Sequence, residues 1–302
     1  ASGTATVLAG KMFDIPVSGT MAHSWVSYYK NEYQAFVDYA RVYPNQALFL
    51  VDTYDVLRSG VPNAIRVAKE ILEPAGYRLK GVRIDSGDLA YLSKKVRAML
   101  DEAGCEDAII VGSNSLDEYT ITSILDEGGQ FNSFGVGERL ITAKSDPVFG
   151  GVYKLSAVQQ DDGSFEPRIK ISESPEKITN PGLKDIYRIY DGTHAVCDLI
   201  ACDGEEVDLS GKYRYVDPEK PWKNRFYENC TAKKLQKVYI KDGRLVEKMP
   251  TIKEIRDYVA RQLTTEIWPE EQRFYNPHKH YLDMSPGYYE MKMTLLNEFR
   301  QD

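Results

Sequence analysis

The stretch Gly81-Val82-Arg83-Ile84-Asp85-Ser86-Gly87-Asp88 decides the fold of this chain. A short β-favouring run leads into two carboxylates, a hydroxyl and a glycine, and a helical pattern follows immediately. We predict a buried strand with Arg83, Asp85 and Asp88 at its carboxyl end, where ligands bind in parallel α/β folds. Because core packing gives no reason for polar groups at that edge, they indicate chemistry on a phosphorylated or carboxylated small molecule.

The same strand–helix unit recurs on both sides of this stretch. Runs typical of strands lie at residues 46–51, 79–84, 108–111 and 133–136. Helical periodicity follows at residues 64–72, at residues 89–100 and from Ser115, where Ser115 and Glu118 form a candidate capping box. Strand starts about 30 residues apart suit parallel strands joined by crossover helices, in a Rossmann sheet or a barrel. Polar residues or glycine at each strand end resemble a barrel with its site on the carboxyl face.

The composition disfavours several classes of function. The formal net charge of −7 argues against nucleic acid as a partner. No apolar run reaches membrane-spanning length and no signal peptide precedes the first strand, so we expect a cytoplasmic protein without a membrane partner. Four cysteines without CxxC spacing are expected to be reduced thiols: Cys105, Cys197, Cys202 and Cys230.

The sequence pattern changes after residue 150, from strand–helix units to short runs of alternating residues. Short alternating runs at residues 152–155, 187–190 and 195–201, separated by Asp-Gly turns, predict antiparallel strands. A helix with basic and apolar faces is predicted from Thr251 to about residue 267. We predict a partial α/β barrel with the site at 1–150, a mostly β accessory region at 151–235 and a C-terminal helical tail at 236–302. His278 and His280 have no recognisable ligand partners in the sequence and are predicted to be surface residues.

One of the four histidines lies among hydroxyls and a glycine, in Ser18-Gly19-Thr20-Met21-Ala22-His23-Ser24. Loops of this kind expose backbone amides to phosphate oxygens, and His23 can act as a nucleophile or as an acid/base. Taken alone, the segment is explained better by a histidine that caps the helix beginning near Trp25.

Carboxylates and an arginine follow the first two strands. Asp52 and Asp55 can hold Mg²⁺ indirectly or bind ribose hydroxyls, although one of them is equally expected to cap the following turn. Asp88 is predicted to be a helix N-cap. Arg83 must face an anion, because an unpaired buried charge is costly. Gly135-Val136-Gly137 ends the fourth strand and suits either a phosphate cradle or a simple turn.

Together these segments resemble the nicotinate phosphoribosyltransferase family. The motifs occur in the family's order, specific over residues 1 to about 190 and looser beyond: Val7-Leu8-Ala9-Gly10-Lys11, the segment around His23, Val51-Asp52-Thr53-Tyr54-Asp55, Arg83-Ile84-Asp85-Ser86-Gly87-Asp88, Phe134-Gly135-Val136-Gly137, Lys170-Ile171-Ser172-Glu173 and Pro181-Gly182. Each motif alone is ambiguous, but their shared order is specific.

The resemblance implies an irregular α/β barrel, incomplete in this chain, packed against a mostly β domain. It implies transfer of ribose 5-phosphate from phosphoribosyl pyrophosphate to nicotinate, coupled to ATP hydrolysis through a phosphorylated His23. Mg²⁺ would bridge the pyrophosphate oxygens, with Asp52 or Asp85 as anchors. It also implies a homodimer and a family region before Ala1, without which we expect no activity.

The residues carried over from the resemblance fall into two groups. The catalytic group is His23, Asp52 and Asp85. The substrate-binding group is Arg83 for the nicotinate carboxylate, Ser113, Gly135 and Gly137 for the 5′-phosphate, and Thr20, Ser24, Asp55 and Asn114.

Two alternatives stay open. The first is a nicotinamide- or quinolinate-using phosphoribosyltransferase on the same barrel, and the second is a truncated fragment that binds phosphoribosyl ligands without turnover. A barrel aldolase is disfavoured because no predicted strand end carries a lysine suited to a Schiff base.

Overall fold

A parallel sheet of four strands organises the first half of the chain in this computed structural model, which describes residues 1–148, 150–174 and 177–299. The strands lie in the order β1 (Leu48–Leu50), β2 (Gly81–Ile84), β3 (Ile109–Gly112) and β4 (Ser133–Phe134). All three pairings are parallel, as predicted, and Arg83 on β2 is in register with Leu50 and Val111. The fold is mixed α/β, and these four strands do not close into a barrel by themselves.

Seven helices accompany this sheet in the described part of the chain: α1 (Val7–Phe13), α2 (His23–Tyr28), α3 (Glu32–Val42), α4 (Val61–Val67), α5 (Leu89–Glu102), α6 (Glu118–Asp126) and α7 (Glu138–Ile141). Two π-helical turns, Val56–Gly60 and Ala68–Leu72, flank α4. Phe36 of α3 stacks on Phe49 of β1 with ring centroids 4.7 Å apart, and both side chains are fully buried. The apolar run of β1 thus forms the centre of the core.

A glycine allows the chain after β1 to pack closely against that strand. A Cβ on Gly60 would lie 1.9 Å from the carbonyl oxygen of Val51. No side chain fits at this position, so the start of α4 can approach β1 this closely only with glycine.

The start of α5 was predicted correctly, but the start of α6 was not. The Asp88 side chain accepts a hydrogen bond from the Tyr91 amide, as expected of an N-cap. The predicted capping box of Ser115 and Glu118 is wrong, because Ser115 adopts a left-handed φ of 49° and α6 begins only at Glu118. Asp117 is the true cap, and its carboxylate accepts from the Thr120 amide at 2.8 Å.

A six-stranded, mostly antiparallel sheet organises the second half. Its strands are β7 (Lys184–Asp191), β8 (His194–Cys202), β9 (Tyr213–Val216), β10 (Asn224–Tyr227), β11 (Thr231–Lys234) and β14 (Leu282–Met284), in the order β10-β9-β14-β8-β7-β11. Two hairpins, β5 (Ala157–Gln159) with β6 (Phe165–Pro167) and β12 (Ile240–Lys241) with β13 (Arg244–Leu245), lie outside it. Helices α8 (Ile252–Arg261) and α9 (Pro286–Glu298) complete the second half. The strands predicted at 187–190 and 195–201 are therefore confirmed.

Other predictions for this half need correction. Residues 152–155 form no strand, since this run has no partner strand and Tyr153 is 98% exposed. Residues 236–302 hold two helices, but they also insert β14 between β8 and β9 of the main sheet. Residues 300–302 lie outside the described part. The chain divides into two compact units, Ala1–Gly150 and Gly151–Asp302.

The prediction that His280 is simply a surface residue is also wrong, because its side chain is only 28% exposed and lies between two carboxylates. Its Nδ1 lies 3.2 Å from both carboxylate oxygens of Glu271, and its Nε2 lies 3.5 Å from Oδ1 of Asp198. The interaction with Asp198 raises the pKa of His280, although burial opposes the shift. Burial would raise the pKa of Asp198, but His280 and Arg188 outweigh it and lower that pKa to about 2.

The described helices include none that is both long enough and apolar enough to cross a lipid bilayer.

Candidate active site

Polar side chains converge at the carboxyl ends of β1, β2 and β3, as the sequence predicted for a parallel sheet. Asp52 follows β1, Arg83 and Asp85 come from β2 and its end, and Ser113 follows β3. His23 joins them from the first turn of α2. Because neighbouring parallel strands end at the same edge, residues distant in sequence become direct neighbours.

Arg83 connects three parts of this site. Its Nε donates to Ser113 Oγ at 2.8 Å, its Nη1 to Thr20 Oγ1 at 2.9 Å and its Nη2 to Asp85 Oδ1 at 2.9 Å. The side chain is 25% exposed. An arginine has five N–H donors, and three bonds leave one free N–H on each terminal nitrogen. The anion that the sequence required beside this arginine is Asp85.

Asp85 is held in its ionised form. Ser113 also donates its hydroxyl to Oδ1 of this carboxylate. Burial would raise the pKa of Asp85, but the hydrogen bonds from Ser113 and Arg83 outweigh it and the pKa is lowered. His23 contributes in the same direction. The site therefore presents a negative charge at its centre near neutral pH.

Asp52 is the most buried of the side chains that form the site. Its side chain is 1% exposed, and its Oδ2 accepts from the Asp85 amide at 3.1 Å and from Ser86 Oγ at 2.6 Å. Its Oδ1 is buried and receives no hydrogen bond from the described residues. Asp52 thus ties the end of β1 to the turn after β2 and keeps one oxygen for another partner.

His23 faces both carboxylates. Its Nε2 lies 3.6 Å from Asp85 Oδ2 and 3.8 Å from Asp52 Oδ1. Its Nδ1 lies 3.1 Å from Thr53 Oγ1. The side chain is 44% exposed, so a ligand can reach the ring. Sequence analysis missed Thr53 as a functional residue, although its position directly after Asp52 at a strand end was a usable signal.

Other predicted binding residues lie outside this network. Of the two aspartates, Asp55 and not Asp52 caps the following turn, because its Oδ1 accepts from the Leu57 and Arg58 amides. Asn114 has a left-handed φ of 88° and interacts with Ser115. Ser24 is exposed on α2 and makes no side-chain hydrogen bond within the described part of the chain. None of these three side chains hydrogen-bonds to His23 or Arg83 in the described part of the chain.

The two glycines after β4 differ in what their amides can do. The Gly135 amide already donates to the Gly112 carbonyl at 2.8 Å, so it is not free for a phosphate. Gly137 precedes α7, and its amide donates to no backbone carbonyl outside the regular elements of the described chain. Of the two, Gly137 therefore keeps a donor for an anion.

The carboxylates can complement a metal ion but cannot enclose one. No group of three or more His, Cys, Asp or Glu residues in the described chain is arranged to hold a metal. Mg²⁺ commonly takes one or two protein carboxylates and completes its shell with water and phosphate oxygens. The unpartnered Oδ1 of Asp52, beside Asp85, fits such a partial set of ligands.

The geometry combines three chemical capacities. His23 presents a partly exposed ring, two carboxylates lie beside it, and Arg83 keeps two N–H donors that the described residues do not use. Such a set suits phosphoryl or ribosyl transfer, in which charge develops close to a phosphorylated substrate.

Similar proteins point to one family. The family model described as "Nicotinate phosphoribosyltransferase C-terminal domain" matches residues 183–292. Over 99% of its length the chain is 44% identical to nicotinate phosphoribosyltransferase of Bacillus subtilis (strain 168), of which it covers 60%. It is 33% identical over 97% of its length to the Caenorhabditis elegans protein of the same name, of which it covers 61%. The chain thus spans less than two thirds of these relatives.

The solved structures agree with this similarity. The crystal structure of human nicotinic acid phosphoribosyltransferase superposes with a TM-score of 0.76 and 25% identity, covering 98% of this chain and 65% of that one. A nicotinate-nucleotide pyrophosphorylase from Pyrococcus furiosus shares the fold, with a TM-score of 0.60 at 21% identity over 87% of this chain and 59% of that one.

Proposed function

We propose that this chain belongs to the nicotinate phosphoribosyltransferase family and carries the site at which nicotinate and phosphoribosyl pyrophosphate react in the full-length protein. The products are nicotinate mononucleotide and pyrophosphate. The convergence of Arg83, Asp85, Asp52 and His23 at one sheet edge carries this proposal.

Ribosyl transfer requires stabilisation of positive charge at the sugar. When pyrophosphate leaves, the ribosyl carbon becomes oxocarbenium-like, and a nearby carboxylate stabilises it or orients the ribose hydroxyls. Asp85 is suited to this role because its lowered pKa keeps it ionised. The pyridine nitrogen of nicotinate then bonds to the ribosyl carbon as the bond to pyrophosphate breaks.

Arg83 is proposed to select nicotinate. Its Nη1 and Nη2 each retain one N–H after the bonds to Thr20 and Asp85. Two parallel N–H groups match a carboxylate, and a neutral amide substrate gains less from them. The 5′-phosphate is assigned to the Gly137 amide, because the Ser113 hydroxyl already donates to Asp85 and the Ser113 amide to the Ile84 carbonyl.

ATP hydrolysis is proposed to be coupled through His23. A proton on Nε2 would first pass to Asp52 or Asp85, and the freed lone pair of Nε2 would then bond to the terminal phosphorus of ATP as the bond to ADP breaks. The oxygens of Asp52 and Asp85 lie 3.8 and 3.6 Å from Nε2, which is close enough for a small side-chain rotation to form the hydrogen bond. Asp52 and Asp85 would also anchor Mg²⁺, which offsets the charge of the pyrophosphate oxygens.

The surrounding architecture is part of the proposal. We infer that segments outside this chain complete the irregular barrel of which β1–β4 form one part. Residues 1–150 would supply the site, residues 151–235 most of the accessory β region, and residues 236–302 the helical tail together with β14 of the accessory sheet. The full-length protein is proposed to be a cytoplasmic homodimer.

A competition assay with the full-length protein tests the substrate. Nicotinate, nicotinamide and quinolinate are offered together with phosphoribosyl pyrophosphate, ATP and Mg²⁺, and the nucleotides formed are separated. We expect nicotinate mononucleotide to predominate. Predominance of another nucleotide would assign the protein to the nicotinamide- or quinolinate-using class.

Mass spectrometry after incubation with ATP separates an enzyme from a non-catalytic fragment. We expect one phosphoryl group on the wild-type protein and none on His23→Ala, with Ser24→Ala as the neighbouring control. A protein that binds phosphoribosyl pyrophosphate but forms neither nucleotide nor phosphohistidine would be a binding fragment, and the proposal would fail.

A further inference from the structure

A second polar pocket opens in the first unit, between the start of α3 and the segment around α4. Its volume is about 520 Å³, which lies within the range of small-molecule sites. It is lined by Lys30, Asn31, Glu32, Tyr33, Tyr54, Ser59, Asn63 and Arg66. None of these residues belongs to the network around His23.

Glu32 is the unusual member of this pocket. It is only 3% exposed, and its Oε2 accepts from Ser59 Oγ at 2.5 Å and from Asn63 Nδ2 at 3.2 Å. Its Oε1 is buried and has no hydrogen-bond partner among the described residues. A buried acceptor left unpaired costs about 1–3 kcal/mol, more when it is charged. The fold itself needs no carboxylate here, since an amide could accept the same two bonds.

The surroundings of Glu32 disfavour its negative charge. Burial raises the pKa of Glu32, the bonds from Ser59 and Asn63 only partly offset this, and the charge of Asp52 adds to it. A ligand that donates a hydrogen bond to Oε1 would remove the unpaired acceptor. The ligand therefore needs a donor group at its inner end.

The outer lining restricts what else the ligand carries. Arg66 lies over the Tyr33 ring at 4.0 Å and donates through Nε to Glu70, so its terminal nitrogens are held in place. Lys30 is exposed on the same pocket. Two cations disfavour an ammonium ligand and favour a phosphate, so the inner donor is best supplied by a neutral hydroxyl. The Tyr54 ring, 58% exposed, offers a face for a sugar or a base.

We propose that this pocket binds a small polyhydroxylated phosphate ester, with a hydroxyl donating to Glu32 and the phosphate between Lys30 and Arg66. The ester is either a free sugar phosphate or the ribose phosphate part of a nucleotide. Asn63, whose Nδ2 is bonded to Glu32, keeps its Oδ1 as a second acceptor for a neighbouring hydroxyl. This site is independent of the proposed transferase activity.

Isothermal titration calorimetry with ribose 5-phosphate and with AMP tests the site in the full-length protein. We expect binding tighter than about 1 mM and a loss of about tenfold or more in Glu32→Gln. Asp38→Asn is the matched control, because it is also an acid-to-amide change on α3 but lies outside the pocket. Tighter binding of AMP than of ribose 5-phosphate identifies the nucleotide as the source, and equal binding identifies the sugar phosphate.

Two further variants keep the test decisive. Lys30→Gln changes an exposed side chain, so it weakens binding without threatening the fold. Asp85→Asn disables the candidate active site and is expected to leave this binding unchanged, which separates the two proposals. Binding of neither probe, equal binding to Glu32→Gln, or loss of binding in Asp85→Asn would overturn the inference.

Discussion

Replacement of Arg83 by lysine tests the proposed origin of nicotinate selectivity. Lysine keeps the positive charge beside Asp85 but loses the planar pair of N–H groups that remains on Nη1 and Nη2. A hydrogen bond to a charged group contributes about 1.5–3 kcal/mol. Losing one such bond to the nicotinate carboxylate should therefore raise the KM for nicotinate by about 10- to 100-fold.

The assay measures initial rates of nucleotide formation by the full-length protein, varying each substrate at saturation of the other. The KM for phosphoribosyl pyrophosphate should change much less, because Asp85 and the Gly137 amide are unaltered. Thr20→Val is the control, since it removes one neutral partner of Arg83 and leaves the guanidinium in place. Equal increases in both KM values, or an unchanged KM for nicotinate, would refute the assignment.

Three further outcomes are expected. Thr53→Val removes the hydroxyl beside His23 Nδ1 and should slow phosphorylation of His23 by ATP about 2- to 13-fold, measured by mass spectrometry; an unchanged rate would contradict a role in holding the ring. Phe49→Ala should lower the free energy of unfolding by about 3–5 kcal/mol in urea titrations, and a loss below about 1 kcal/mol would show that the stack on α3 contributes little. Since the folded pKa of His280 is raised, its stabilisation is complete below the unfolded pKa of about 6.5 and is lost as pH rises through the folded pKa. Thermal unfolding of wild type should therefore occur at lower temperature as the pH rises through that window, whereas His280→Gln should show no such step.

The parallel sheet was predictable because its strands are continuous apolar runs. Residues such as Phe49, Val82 and Ile110 are fully buried, and burial on both faces produces that pattern directly in the sequence. The cap at Asp88 was predictable for a similar reason, since its partner lies three residues away. In both cases the structural feature depends on residues that lie close together in the sequence, so the local sequence was enough to predict it.

The errors concern either interactions between distant residues or an unmarked local turn. His280 meets Asp198 across 82 positions, and nothing in the local sequence indicates that partner. Asp52 and Asp55 are alike in sequence, and only the fold directs one toward His23 and the other toward the Leu57 amide. The capping box at Ser115 failed because a left-handed turn after β3 delays the helix, and no glycine marks that turn.

Arg83 connects several parts of the site in addition to its proposed role in selecting the substrate. The same guanidinium that would meet the substrate also joins β2 to Ser113 after β3 and to Thr20 on a separate loop. A substitution that changes what this side chain recognises therefore loosens the connections that shape the site. Evolution or engineering toward a different substrate should alter neighbours such as Thr20 first and leave Arg83 in place.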